Sequence, residues 1–180
     1  MQAQTATADQ LVARAQIYDV LMQYMRGVDR RDMDLVRAAY HPDAQQTNPY
    51  LAPGAWGSVE DLITLMDRNA VHIPMSMHFL ANIVYEFADD DVAVVESYLM
   101  AYQTHRDAEG AEGFRQTGSR YLDRFERRDG SWRIAKRVLP LNFIRPLAPP
   151  GDQILFTNPV LSTRDEADPL WSLRAEAGLE

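Results

Sequence analysis

The chain has 180 residues and no cysteine, with 46% apolar and 24% charged residues and a formal net charge of −8. This length suits one domain with its own core. The missing cysteine excludes disulfides, thiolate metal sites and cysteine nucleophiles, and the acidic balance argues against a nucleic-acid partner.

The first residues, Met1 to Ala6, hold neither a basic region nor an apolar run. No stretch approaches the ~18–20 apolar residues a membrane span needs. A cytoplasmic protein with no membrane contact is therefore expected. Residues 8–27 read as a helix. Leu11, Ala15, Tyr18, Leu21, Met22 and Met25 recur at three- and four-residue spacing, Asp9 is a candidate N-cap and Gly27 a stop. Asp32 caps a shorter helix through Tyr40, ended by His41-Pro42. The variable segment 43–57 carries Pro49, Pro53, Gly54 and Gly57, and its first half has room for a strand. Ser58 caps a third helix from Val59 to about Val71.

From Met75 the apolar period changes to two. Strands are expected over 77–87, 92–105, 114–128 and from Trp132 to about Phe143, with a turn at Asp89-Asp90-Asp91 and a hairpin at Asp129-Gly130. Three helices followed by a long antiparallel meander predict an α+β domain with helices on one sheet face. Pro146, Pro149, Pro150, Pro159 and Pro169 mark 146–180 as an extended tail. The expected division is a domain over 1–147 and a tail over 148–180 that packs on the domain or a neighbouring subunit.

Two residues stand out for chemistry. Asp29 follows the first helix in Gly27-Val28-Asp29-Arg30-Arg31-Asp32, and His78 lies in the strand-like run Met77-His78-Phe79-Leu80-Ala81-Asn82. A carboxylate that meets an imidazole orients the ring and supports the cation formed when the ring takes a proton. No metal motif, phosphate loop or nucleophile elbow competes with the pair, so neither metal nor cofactor is expected. Tyr24, Tyr50, Tyr85, Tyr98 and Tyr102 combine an apolar body with a polar tip, which suits a pocket for an aromatic ligand. Tyr98 and Tyr102 share a strand face with Glu96 and Met100, while Ala93, Val95, Ser97, Leu99 and Ala101 form the opposite one. Alternation alone leaves open which face lines a pocket.

Three stretches carry a family resemblance: Arg14-Ala15-Gln16-Ile17 through Asp32, His78 through Asn82, and Tyr121 through Arg137. They resemble the SnoaL-like branch of the nuclear transport factor 2-like superfamily, with its dehydrochlorinases and scytalone dehydratases. The resemblance implies a cone-shaped, curved antiparallel sheet wrapped around helices, with a deep pocket. It implies His78 as base, Asp29 as its orienting carboxylate and Arg137 as a pocket arginine. Tyr24 stands where the dehydrochlorinases carry lysine, and a phenol supplies no fixed positive charge to a leaving chloride. Tyr102 falls near a second histidine of the scytalone dehydratases.

The expected function is a cofactor-independent lyase, a dehydratase or a deformylase that cleaves a carbon–carbon bond. Its substrate would be bulky, apolar and aromatic, such as a lignin-derived diaryl compound. His78 and Asp29 would be catalytic, with Tyr24, Tyr50, Tyr98, Tyr102 and Arg137 binding substrate. The alternatives are an isomerase or cyclase of a steroid or polyketide using the same base, and a non-catalytic subunit like the small subunits of ring-hydroxylating dioxygenases. Homotrimers are expected from the resemblance and from apolar residues on both sheet faces.

Overall fold

The computed structural model describes residues 6–47, 55–107, 109–147 and 162–179. Helix α1 spans Ala8–Arg30. Its N-cap is Thr7 rather than Asp9, in a capping box with Gln10. The buried stripe is Ala13, Ile17, Leu21, Tyr24 and Met25, whereas Leu11 and Tyr18 point to solvent. The helix does not stop at Gly27. It closes at Arg31, which takes the left-handed conformation (φ 60°) and returns its N–H to Gly27 and Val28. Asp29 consequently sits in the last helical turn.

Gly27 serves packing instead. A Cβ there would meet Val36 N at 2.9 Å and Asp32 O at 3.0 Å, on helix α2 (Met33–Ala38) and its N-cap. Gly27→Ala should thus destabilise by about 1–3 kcal/mol, although alanine is the better helix former. Urea titration would check this, and a stabilised variant would contradict it.

Helix α2 ends before Tyr40, because β1 (Tyr40–Thr47) begins there. Pro42 is tolerated because pairing of β1 with β6 is irregular between Tyr40 and Gln45, so its missing N–H breaks no regular ladder. Strand β2 is Trp56–Gly57, and α3 spans Val59–Arg68 behind a Ser58–Asp61 capping box, followed by a 3-10 turn at Ala70–His72. The long strands are β3 (Ser76–Phe87), β4 (Val92–Arg106) and β5 (Glu112–Arg128). The fourth expected strand is two, β6 (Ser131–Val138) and β7 (Leu141–Leu147), broken at Leu139-Pro140. Proline lacks the N–H needed to continue the ladder. Both strands lie along the same edge of β5, β6 on its second half and β7 on its first.

The sheet runs β2-β1-β6-β5-β4-β3, with β7 beside β5. This curved, open, mostly antiparallel sheet wraps α1, and the core joins Ile17, Leu21 and Met25 to Val95, Phe125 and Ile134. The hairpin turn holds Asp129 (φ 52°) and Gly130 (φ 79°), the pair of positive φ angles a tight two-residue connection demands.

The C-terminal segment is not wholly extended. Pro169–Glu176 form helix α4, capped by Asp168, with Pro169 in its first turn, where a missing N–H costs nothing. Arg30 pairs with Asp168 at 2.7 Å and lies over the Trp171 ring, which docks α4 on α1. Residues 148–161 of the expected tail lie outside the described residues.

The Arg30 hydrogen bond, with the Leu170 N–H, holds the Asp168 carboxyl down to about 2 from an ordinary 3.8. A depressed carboxylate stabilises docking fully above the ordinary value and loses that contribution as pH falls through the lowered one. Protection of α4 amides should therefore fall between about pH 4 and pH 2. In Asp168→Asn, which keeps the cap but not the charge, protection should start lower and vary less over that range.

Candidate active site

A bulge decides which way His78 points. Register between β3 and β4 shifts between Ala81 and Val84, where Asn82 has φ 49°. Before the bulge Ser76, His78 and Leu80 turn inward, and after it Ile83, Tyr85 and Phe87 do. His78 thereby faces the last turn of α1.

There its Nδ1 lies 2.5 Å from Asp29 Oδ1, which also accepts from the Ser76 hydroxyl at 3.1 Å. Asp29 Oδ2 accepts the His78 backbone N–H at 2.9 Å. Both carboxylate oxygens are engaged, and the His78 side chain is only 9% exposed. With Nδ1 donating to the carboxylate, Nε2 is the ring nitrogen able to take a proton. It has no hydrogen-bond partner among the described residues.

His78 lines a cavity of about 280 Å³. Its walls are mainly apolar: Val28, Leu62, Leu65 and Met66 from the helices, Leu99 and Ala101 from β4, and Leu141 and Ile144 from β7. Gln103, Thr117, Ser119 and Asn69 add small polar groups, and Tyr24 and Tyr121 close one side. Burial raises the Tyr121 phenol well above its ordinary value, so the hydroxyl stays protonated and able to donate.

Behind these tyrosines sits Arg137. It forms a bidentate pair with Asp123, both contacts 2.7 Å, and donates to Tyr40 at 3.1 Å. Its guanidinium lies 3.7 Å from the Tyr121 ring centre and 4.5 Å from that of Tyr24. Burial pushes the Asp123 carboxyl up, partly offset by the Arg137 charge. Arg137 thus does not line the cavity, contrary to its expected place. It braces the aromatic floor from beneath.

Other expected residues also fall elsewhere. The inward face of β4 is the small one, Ala93, Val95, Ser97, Leu99 and Ala101, because little space separates a concave sheet from its helices. Tyr98 and Tyr102 point to the outer face. Tyr102 packs edge-on against Phe79 and accepts from Gln116 at 2.9 Å. Neither reaches the cavity. Tyr50 lies outside the described residues.

Arg164 joins the site without being among the expected residues. From the C-terminal segment it donates Nε to the Asp29 carbonyl (2.8 Å), Nη1 to the Ile73 carbonyl (3.2 Å) and Nη2 to the Ser76 hydroxyl (3.1 Å). Ser76 relays this contact to Asp29, so the segment clamps the carboxylate that orients His78. Arg164 and Arg31 both line the cavity. No local pattern marks Arg164, which is 86 residues from His78 in sequence. Among the described residues, no group of three or more His, Asp or Glu could hold a metal ion.

A curved open sheet around a long helix, with a pocket at the helix end, defines the nuclear transport factor 2-like class. The chain belongs to the SnoaL-like domain family, which it matches over residues 9–138. Hexachlorocyclohexane dehydrochlorinase 1 of Sphingobium indicum is 29% identical over 152 residues, covering 79% of this chain and 94% of the relative. A solved type 2 hexachlorocyclohexane dehydrochlorinase superposes with a TM-score of 0.69 at 25% identity, covering 79% of this chain and 97% of the other. A scytalone dehydratase-like protein of Novosphingobium aromaticivorans shares the fold, with a TM-score of 0.68 at 18% identity, covering 81% and 94% of the two chains.

Proposed function

We propose that the protein is a cofactor-independent lyase in which His78 removes a proton from an apolar, aromatic-bodied substrate. The observation that carries this reading is the geometry of the dyad. Asp29 occupies Nδ1, and the ring, with Nε2 left to take a proton, lines a mainly apolar cavity. Protonation at Nε2 creates an imidazolium that the Asp29 carboxylate supports at once, with no water needed to reorganise. As the carbon–oxygen, carbon–carbon or carbon–halogen bond breaks, charge develops on the departing group. We assign the neutral Tyr121 hydroxyl, on the cavity wall it shares with Tyr24, to donate to it. The dehydrochlorinase relatives support elimination as the reaction class.

Incubation without added cofactor, in the presence of a chelator, tests the proposal. The substrate sets are aryl alcohols, lignin-type diaryl diols and polychlorinated cyclohexanes, with products read by mass spectrometry and His78→Ala as control. Loss of water, formaldehyde or hydrogen chloride that vanishes in the control supports the lyase reading. A product of unchanged mass would move the chain to isomerases. Activity that needs a divalent ion would overturn it.

Self-association belongs to the same reading. On the outer sheet face Met77, Phe79, Val84, Val94 and Tyr98 are each 43–50% exposed. Monomers rarely leave such a patch open, and cyclic association would cover it. Light scattering should give about three times the 20.5 kDa of one chain. A mass near one chain at micromolar concentration would reject the trimer.

A further inference from the structure

We propose that Arg31 and Arg164 form an anion-recognising subsite at the rim of the cavity, so that the substrate is an apolar body bearing one anionic oxygen group. The inference rests on the reading of this cavity as the substrate site and names the class of molecule it takes. Three observations carry it.

The first is charge. The chain has a net charge of −8, yet the charged side chains lining the cavity among the described residues are Arg31 and Arg164, with no carboxylate. A low-dielectric wall focuses that positive potential on whatever enters. Asp29, whose oxygens bind His78 and Ser76, offsets only part of the charge of the two guanidiniums.

The second is free donor capacity. Arg164 is pinned by three hydrogen bonds among the described residues, which leave two of its five N–H groups for a ligand. Arg31 spends one contact on Asp67, 3.2 Å away and 61% exposed, a partner that a buried anion would outcompete. Two guanidiniums that face one cavity repel each other, and the Arg164 pKa is lowered by burial and then by Arg31, partly offset by the Asp29 charge. An anion between them relieves that repulsion.

The third is backbone. Arg31 occupies a left-handed helix cap, φ 60°, where glycine is the favoured residue. An arginine held there against that preference points to a use for its side chain. Arg164 lies outside the stretch that matches the family, so this half of the subsite belongs to the C-terminal segment of this chain.

Calorimetric binding of 2-naphthoate and its uncharged analogue 2-naphthamide tests the subsite without any turnover. Naphthoate should bind at least tenfold more tightly than naphthamide. Arg31→Gly, which suits the left-handed cap and should leave Tm unchanged or raised, should abolish most of that preference while naphthamide binding stays constant. Arg164→Gln should do the same, and Arg164→Lys should restore part of it. Equal affinity for the two probes, a preference that persists in Arg31→Gly, or no naphthoate binding up to 1 mM would overturn the proposal. If naphthoate binds as expected but neither those substrate sets nor their carboxylate-bearing analogues are turned over, the anion subsite stands and the lyase reading fails.

Discussion

A His78→Ala variant is expected to lose about 10²–10⁴-fold in turnover, the typical contribution of one positioned base, with thermal stability nearly unchanged. Folding should survive because the backbone N–H of residue 78 still donates to Asp29. Asp29→Asn should fall by a comparable factor for a different reason. Oδ1 accepts from the ring and from Ser76, and Oδ2 accepts from the backbone. An amide offers one acceptor oxygen and one donor NH2, so it cannot satisfy both positions. Either the amide turns its NH2 to the ring and reverses the tautomer, or it breaks the backbone contact. Steady-state kinetics on any substrate found by the screen would check this. Retention of more than a tenth of the activity in His78→Ala would place the chemistry elsewhere.

The second large effect concerns stability. Arg137 and Asp123 are fully buried, with side-chain exposures of 1% and 0%. Removing either partner leaves an uncompensated charge in the core, at a cost of about 3–5 kcal/mol. Against a total of about 5–15 kcal/mol, Asp123→Leu or Arg137→Met alone brings the fold near its limit. The double variant removes both charges together and should recover much of the loss. Urea denaturation of the two single variants and the double variant would measure the coupling, and single-variant losses below about 1 kcal/mol would contradict it. The double variant should also weaken ligand binding, because the Tyr24 and Tyr121 rings lose the guanidinium they rest on.

Sequence and tertiary structure divide the information along physical lines. Signals that act within a few residues were legible in the chain: the caps at Asp32 and Ser58, the Asp129-Gly130 turn and the change of apolar period at Met75. These features are set by local backbone preference and by which side of a helix or strand repeats, so they require no knowledge of neighbours. Local reading went astray where a neighbour overrides it. Gly27 looks like a stop until α2 is seen against it, and Pro169 looks like a break until Asp168 makes it a helix start.

The family resemblance marked Asp29 and His78. Their hydrogen bond depends on a bulge at Asn82 that no alternation pattern announces. The tertiary structure alone decided which face of β4 meets the helices, and so sent Tyr98 and Tyr102 outward. It alone matched Arg137 with Asp123, a pair that looks like scattered strand charges in the sequence. It also brought Arg164 to the carbonyl of Asp29 across 135 residues. Contacts at such separations are selected by the closure of the whole sheet around its helix. The sequence carries that closure only as a sum over all its residues, not as a motif.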